Sequence, residues 1–267
     1  MKNLSADAPL KIDFQKTGLP ALTLSGRLKT ESTRKLHSHG YHQVLTIWDG
    51  ISLLVDRSRK QPLFGRMMAF IPADLPHRSI VIGDGAGYKS LYLVPGMFDF
   101  GDTKISIFDV STLGAVLFER IKIQHARDMD SGLNLECLDL LLKVLREDMA
   151  RPASLVRLPE PSLLQNREVV DFIERNYRRH LTMADFTFKF PYSGRHLTRI
   201  FKHDLKITIF EYLRLYRVLM ASIELNDPAR SITDIAFDSG YDSISSFYRD
   251  FNMVFAVTPK AFRKRQR

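Results

Sequence analysis

Two groups of residues in this 267-residue chain have the types and spacing for chemistry. The first is His37-x-His39, followed by Gln43, Gly50 and then His77 at the end of Pro72-Ala73-Asp74-Leu75-Pro76-His77. Alternate residues of a strand share a face, so His37 and His39 can converge on one ion or ligand. The second group is a pair of short segments, Ser193–Lys202 and Ser243–Phe251. As helices, these bury Leu197, Ile200 and Phe201 in one case and Phe247 and Phe251 in the other. Arg195, Thr198, Arg199 and Lys202 are then left outward, as are Ile244, Ser245, Ser246, Tyr248 and Arg249. Arginines and hydroxyls projecting from a short helix suit base edges and phosphates, and an apolar side chain there can meet a thymine methyl.

The elements that must position these groups differ along the chain. The length suggests two domains, and 45% hydrophobic with 10% aromatic residues is enough for a core. Short apolar runs, Val44–Trp48, Ile51–Val55 and Met68–Ile71, alternate with turn chemistry at Asp49-Gly50, Asp56–Arg59 and Gly83–Gly87. That pattern predicts a β-sandwich or small barrel. From about Ser111 the period becomes helical, with Leu135, Leu138, Leu141, Leu142 and Leu145 forming a stripe that packs on the β-domain. Three prolines between Arg151 and Pro161 predict a linker. Beyond it everything reads as helix: Asn166 is expected to cap one, and a long helix from about Phe210 to Asn226 halts at Asp227-Pro228. The expected organisation is α+β, with residues 1–150 as a β-domain with following helices, 151–164 as linker and 165–267 as an all-α domain.

Charge separates the two domains as well. The net charge is +9, and residues 165–267 hold 18 Lys and Arg against 12 Asp and Glu. A basic helical domain favours a polyanion, whose counterions are released on binding. The single cysteine, Cys137, excludes a disulfide framework and a Cys-based zinc site, and reads as a small buried apolar residue in a reducing compartment. The longest stretch without a charged residue, Leu36–Trp48, is too short and polar to span a bilayer, and Met1–Asp7 leads into no apolar segment. The expectation is a cytoplasmic, nucleoid-associated protein with no membrane partner. The tail Arg263–Arg267 reads as a solvated end or a set of phosphate contacts. No Walker, dinucleotide or nucleophile–base motif is visible, and no cofactor is expected.

The basic domain contains one pattern twice, about fifty residues apart. Met183-Ala184-Asp185-Phe186, a turn near Pro191-Tyr192 and Ser193–Lys202 form the first copy. Ser231–Ala236, a turn at Ser239-Gly240-Tyr241 and Ser243–Phe251 form the second. Each is a helix-turn-helix. The second copy, S-I-T-D-I-A-F-D-S-G-Y-D-S-I-S-S-F-Y-R-D-F followed by V-T-P-K-A-F-R, resembles the signature of AraC/XylS-type transcription regulators. The resemblance runs from about Glu168 to Arg263. It implies two helix-turn-helix units joined by the long helix, with DNA-facing positions at Arg195, Thr198, Arg199 and Lys202 and at Ile244, Ser245, Ser246 and Arg249. It further implies a homodimer that binds promoter DNA as an activator or a repressor, with RNA polymerase as a partner. The chain departs from the family at Pro191 and Ala256, where glycine is usual, and in the aromatic run Phe186, Phe188, Phe190.

The histidine spacing is similar to that of cupins, small β-barrels that gather such residues in one mouth. The resemblance implies an effector pocket at His37, His39, Gln43 and His77, with Trp48, Tyr41 and Tyr92 as apolar walls. A divalent metal at His37, His39, Gln43 and His77 is the alternative, weakened because Gln43 supplies no negative charge. The function expected is a ligand-modulated, sequence-specific DNA-binding regulator that is not an enzyme. A metal-dependent cupin enzyme or metal sensor is the competing reading.

Overall fold

The computed structural model describes residues 19–29, 35–96, 101, 103–129, 132–150 and 158–266. The chain divides into two compact units, one of residues 1–57 and 62–153, the other of 58–61 and 154–267.

In the first unit, β5 (Arg78–Leu93) lies between β1 (Ala21–Leu28) and β2 (His42–Val55), antiparallel to both. β4 (Met67–Ile71) pairs with β2 and with β6 (Ser106–Asp109). Asp49-Gly50 does not end a strand, as the sequence suggested. β2 runs through it in a bulge, with the register passing from Ile47↔Tyr88 through Asp49↔Gly87 to Ile51↔Ile82. Gly83–Gly87 is likewise an irregularity inside β5. Gly50 takes φ +74°, and a Cβ there would collide with the Gly85 carbonyl oxygen, so the bulge requires glycine.

Three helices follow: α1 (Thr112–Arg120), α2 (Ala126–Met129) and α3 (Gly132–Met149). Leu138, Leu141 and Leu145 of the expected stripe are buried with Val44, Phe70, Leu91, Phe108, Leu117 and Phe118 in one core. Leu135 is exposed; Leu133 and Leu140, on another face of α3, are exposed as well, as are Leu113 and Val116 on α1. Buried Asp148 accepts from Ser111 N–H and Oγ, both at 2.9 Å, and so ties the end of α3 to the N-cap of α1. Thr23 Oγ1 accepts from Ile123 N–H at 2.9 Å and donates to its carbonyl at 3.2 Å.

The second unit contains α4 (Leu164–Asn176), α5 (Met183–Lys189), α6 (Gly194–Leu205), α7 (Ile209–Glu224), α8 (Ile232–Asp238), α9 (Ile244–Phe255) and α10 (Pro259–Gln266). The linker expected at 151–164 falls outside the described residues up to 157. Beyond that it is structured: β7 (Leu158–Pro159) pairs with Arg59 and Lys60 of β3 (Arg59–Leu63). Lys60 is buried, 3.1 Å from Glu160 and donating to Glu174 Oε1 at 2.8 Å, which also accepts from Tyr212. Asn166 is not a cap. It is fully buried inside α4 and donates to Asp204 Oδ2 at 2.8 Å, while the N–H of Leu163, at the N-cap position, donates to Asp204 at 3.1 Å. The N-terminus of α4 is thus capped by a carboxylate from α6, where the helix dipole favours one. The long helix runs two residues short of the predicted end, closed at its start by a Thr208–Glu211 capping box.

Candidate nucleic-acid interface

The repeat read from the sequence is a structural register. Ser193 and Ser243, fifty residues apart, are the N-caps of α6 and α9, accepting from the N–H groups of His196 (3.3 Å) and Ser246 (3.2 Å). Lys206 and Ala256 are the C-caps, both left-handed at φ 63° and 54°, donating to Lys202 and Asn252 carbonyls. Thr208 and Thr258 then start the next helices, accepting from Glu211 N–H and Ala261 N–H at 3.2 Å each. Within this frame Leu197 matches Phe247, Phe201 matches Phe251, and Arg199 matches Arg249. The four apolar residues are buried and both arginines are exposed.

Each unit solves its helix–helix contact differently. In the first, Gly194 makes the close approach: a Cβ there would stand 2.9 Å from Met183 Cγ. The aromatic run splits by face: Phe186 packs on Phe172 and Phe210, with centroids 5.5 and 6.0 Å away, Phe190 packs on Phe172 at 5.8 Å, and Phe188 is 95% exposed. In the second, Gly240 at φ 86° passes so close to α4 that a Cβ would lie 2.6 Å from the Tyr177 carbonyl oxygen. Arg217 of α7 locks that junction, donating to the carbonyls of Tyr177 and Arg179 at 2.8 Å each and lying over the Tyr241 ring.

Of the residues expected to face DNA, Arg195, Arg199 and Lys202 are exposed on α6 and, with Thr198, His203, Met183 and Gly194, line an open groove. Thr198 is half-buried, and its hydroxyl donates to the Gly194 carbonyl at 2.8 Å, which leaves its methyl as the free group. On α9, Ser245 and Arg249 are exposed, whereas Ile244 and Ser246 are half-buried, the latter accepting from Ser243 Oγ at 3.0 Å. Ile200, expected in the core, is also only half-buried. Sequence reading missed the neighbours of the arginines. His196 Nδ1 meets Arg199 at 3.4 Å, and Asp250 accepts from Arg249 Nε at 3.4 Å. The three-residue spacing of His196 and Arg199 was the available signal. Arg263, expected at a solvated end, is half-buried within α10 and donates to the Leu225 carbonyl at 3.1 Å.

The histidines do gather. His37 and His77 exchange both backbone hydrogen bonds (2.9 and 2.8 Å), placing their rings 4.5 Å apart, with His39 5.0 Å from His77. Tyr41 stacks on His39 at 4.6 Å, and Tyr92 meets both edge-on. His39 faces the Tyr41 carbonyl at 2.8 Å and Gln43 Oε1 at 3.1 Å, and Gln43 donates to Ser90 at 2.9 Å. Burial pushes His77 down to about 3, with His37 and His39 nearby adding to the effect against a bond to the Leu75 carbonyl. Burial also lowers His39, against its bonds to Gln43 and Tyr41. Both ring nitrogens of His39 thus lie within 3.1 Å of a protein oxygen, and the neutral ring can donate to one of the two. Among the described residues no three His, Cys, Asp or Glu side chains are grouped so as to hold a metal ion. Trp48 does not belong to this cluster. It is 60% exposed, its indole lying against Gly87, where any Cβ would collide with it.

A basic unit with two capped helix-turn-helix motifs, each presenting an exposed arginine at the same register position, defines a double helix-turn-helix DNA-binding protein. A family model described as a helix-turn-helix domain matches residues 188–265. Regulatory protein SoxS of Salmonella typhimurium is 35% identical over 97 residues, 36% of this chain and 91% of its own length. The transposon Tn10 TetD protein of Escherichia coli is 33% identical over 98 residues, 37% of this chain and 71% of its own. A further relative, the Escherichia coli putative transcriptional regulator YkgA, is 30% identical over 99 residues and is matched over 41% of its length. The chain belongs to the AraC/XylS-type family of helix-turn-helix transcription regulators. Among the described residues no helix is long and apolar enough to cross a membrane.

Proposed function

We propose that the protein regulates transcription by laying α6 and α9 in two successive major-groove turns on one face of promoter DNA, about 10 bp apart. The observation that carries this is the shared register of the two helices, caps included, with Arg199 and Arg249 exposed at matching positions. Arg195, Thr198, Arg199 and Lys202 read or anchor one groove segment, and Ile244, Ser245, Ser246 and Arg249 the other. Capped helix starts supply backbone N–H groups toward phosphates.

The first unit tunes this binding. A small molecule held at His37, His39, Gln43 and His77, beside the packed rings of Tyr41 and Tyr92, shifts a pre-existing equilibrium by its differential affinity for the two states. What supports a pocket there is polar side chains, His77 and Gln43, buried beside aromatic rings. The exposed Leu133 and Leu140, which share a face of α3, with Leu113 and Val116 of α1 support self-association into a homodimer. In this proposal the chain acts in the cytoplasm, at the nucleoid, binds and positions rather than catalyses, and contacts RNA polymerase as an activator. The test is footprinting of the full chain on duplexes selected from a random-sequence library. Protection over two adjacent major-groove turns per subunit, with affinity falling steeply as salt rises, is expected. Protection of one turn, or equal affinity for random duplex, overturns the proposal.

A further inference from the structure

The two arginines that the register makes equivalent are held by different partners. Arg249 donates Nε–H to Asp250, whose side chain is buried, so a carboxylate partly balances its charge. Arg199 instead turns Nη2 toward Nδ1 of His196, one helical turn back, at 3.4 Å. His196 is held at its backbone and, separately, at its ring. Its N–H donates to the Ser193 N-cap at 3.3 Å, and its ring stacks on Tyr192, with centroids 5.3 Å apart and planes at 26°. Tyr192 in turn closes the motif's turn, its N–H donating to the Phe190 carbonyl at 2.7 Å.

A guanidinium offers donors only, so its contact with His196 requires the lone pair on Nδ1 and places the ring proton on Nε2. An unsupported arginine on a helix surface loses much rotamer freedom when it forms a two-pronged contact; one already leaning on a fixed ring loses less. We propose, resting on the reading of α6 as a base-reading helix, that His196 is a positioning residue: the Tyr192–His196–Arg199 ladder aims the rest of the Arg199 fork at the O6 and N7 acceptors of a guanine. The matching position in α9 is Ser246, which is turned to Ser243. The device therefore belongs to the first motif.

The experiment uses the full chain and a duplex selected from a random-sequence library, with every single base-pair substitution titrated. Arg199→Ala and Arg249→Ala each mark the pair they read by abolishing discrimination there. His196→Ala is expected to lower discrimination about three- to tenfold at the Arg199 pair. The Arg249 pair and the salt dependence should stay unchanged, because no phosphate contact is lost. His196→Gln, whose Oε1 accepts the same N–H, should restore most of the loss, and Tyr192→Ala should give a smaller loss at the same pair. Full discrimination at the Arg199 pair in His196→Ala, a loss at some other pair, or no rescue by Gln overturns the proposal. Discrimination that survives Arg199→Ala also overturns it while leaving the regulator reading intact. A wild-type chain that discriminates nowhere overturns both.

Discussion

At the scale of single residues, the side chains proposed to meet DNA and those that hold them were unequally visible. Arg195, Arg199 and Arg249 could be read from residue type and helical period, since an arginine opposite a buried Leu197 or Phe247 has nowhere to go but outward. What Thr198 presents could not, because its hydroxyl turns inward to Gly194, a choice of rotamer that spacing does not encode. Trp48 was misplaced for a similar reason: its ring lies on Gly87, and only the pairing register brings those two together. Two outcomes follow from the observed placements. Arg249→Ala should weaken binding to the selected duplex by about 1–3 kcal/mol if it reads a base, with random duplex affected much less. An equal loss on both, measured by fluorescence anisotropy, would make it a phosphate contact. Thr198→Val keeps the presented methyl and should change affinity for that duplex by less than about 0.5 kcal/mol. A loss several times larger in the same titration would show that the hydroxyl leaves Gly194 to read DNA.

At the scale of elements, helices were more legible than strands. Capping residues and apolar periods are local, so the starts of α6, α7 and α9 were placed within one residue, while α6 and α9 run three and four residues past the expected Lys202 and Phe251. The bulges of β2 and β5 were read as turns, because Asp49-Gly50 has the composition of a hairpin, and only the partner strand decides whether the chain reverses there. One departure from the family pattern has a definite cost. Ala256 holds the left-handed cap at φ 54° that glycine holds without strain. The left-handed region costs a residue with a Cβ roughly 1–2 kcal/mol, and the extra freedom of unfolded glycine returns about 0.5–1 of it. Ala256→Gly should therefore stabilise the second unit by about 0.5–1 kcal/mol in urea unfolding followed by circular dichroism. No gain would mean that the contacts of α10 already relieve the strain. Gly240→Ala should do the reverse and cost about 1–3 kcal/mol, since it adds both a disfavoured φ and a clash with the Tyr177 carbonyl. That position was visible in the sequence as a turn glycine, while its contact with α4 was not.

At the scale of the whole molecule, the two units differ in what acid does to them. His77 is buried and neutral, with its pKa pushed down to about 3. The unfolded chain takes up a proton at the ordinary imidazole value, about 6.5, which the folded chain refuses until near pH 3. Between those values the unfolded state binds more protons, so stability rises with pH, and at pH 5 this one group removes about 2 kcal/mol from the first unit. His39, lowered in the same direction by burial, adds to the loss. In the second unit the clearest titrating link is a carboxylate. Partial burial pushes Asp204 up, but hydrogen bonds from Asn166, Ser162 and Leu163 outweigh it and hold the group below its usual range. Its contribution is present above pH 4 and fades only below it. The first unit should therefore weaken between pH 6.5 and 5, where Asp204 removes nothing from the second. Trp48 is the only tryptophan and lies in the first unit, so its fluorescence reports that unit alone, whereas the helical signal near 222 nm comes mostly from the second. Lowering the pH from 7 to 5 should reduce the urea midpoint seen by Trp48 clearly more than the one seen by circular dichroism. His77→Asn, which keeps a donor toward the Leu75 carbonyl and cannot titrate, should remove most of that difference. Equal shifts in both signals, or a shift that persists in His77→Asn, would place the acid sensitivity elsewhere than in the histidine cluster.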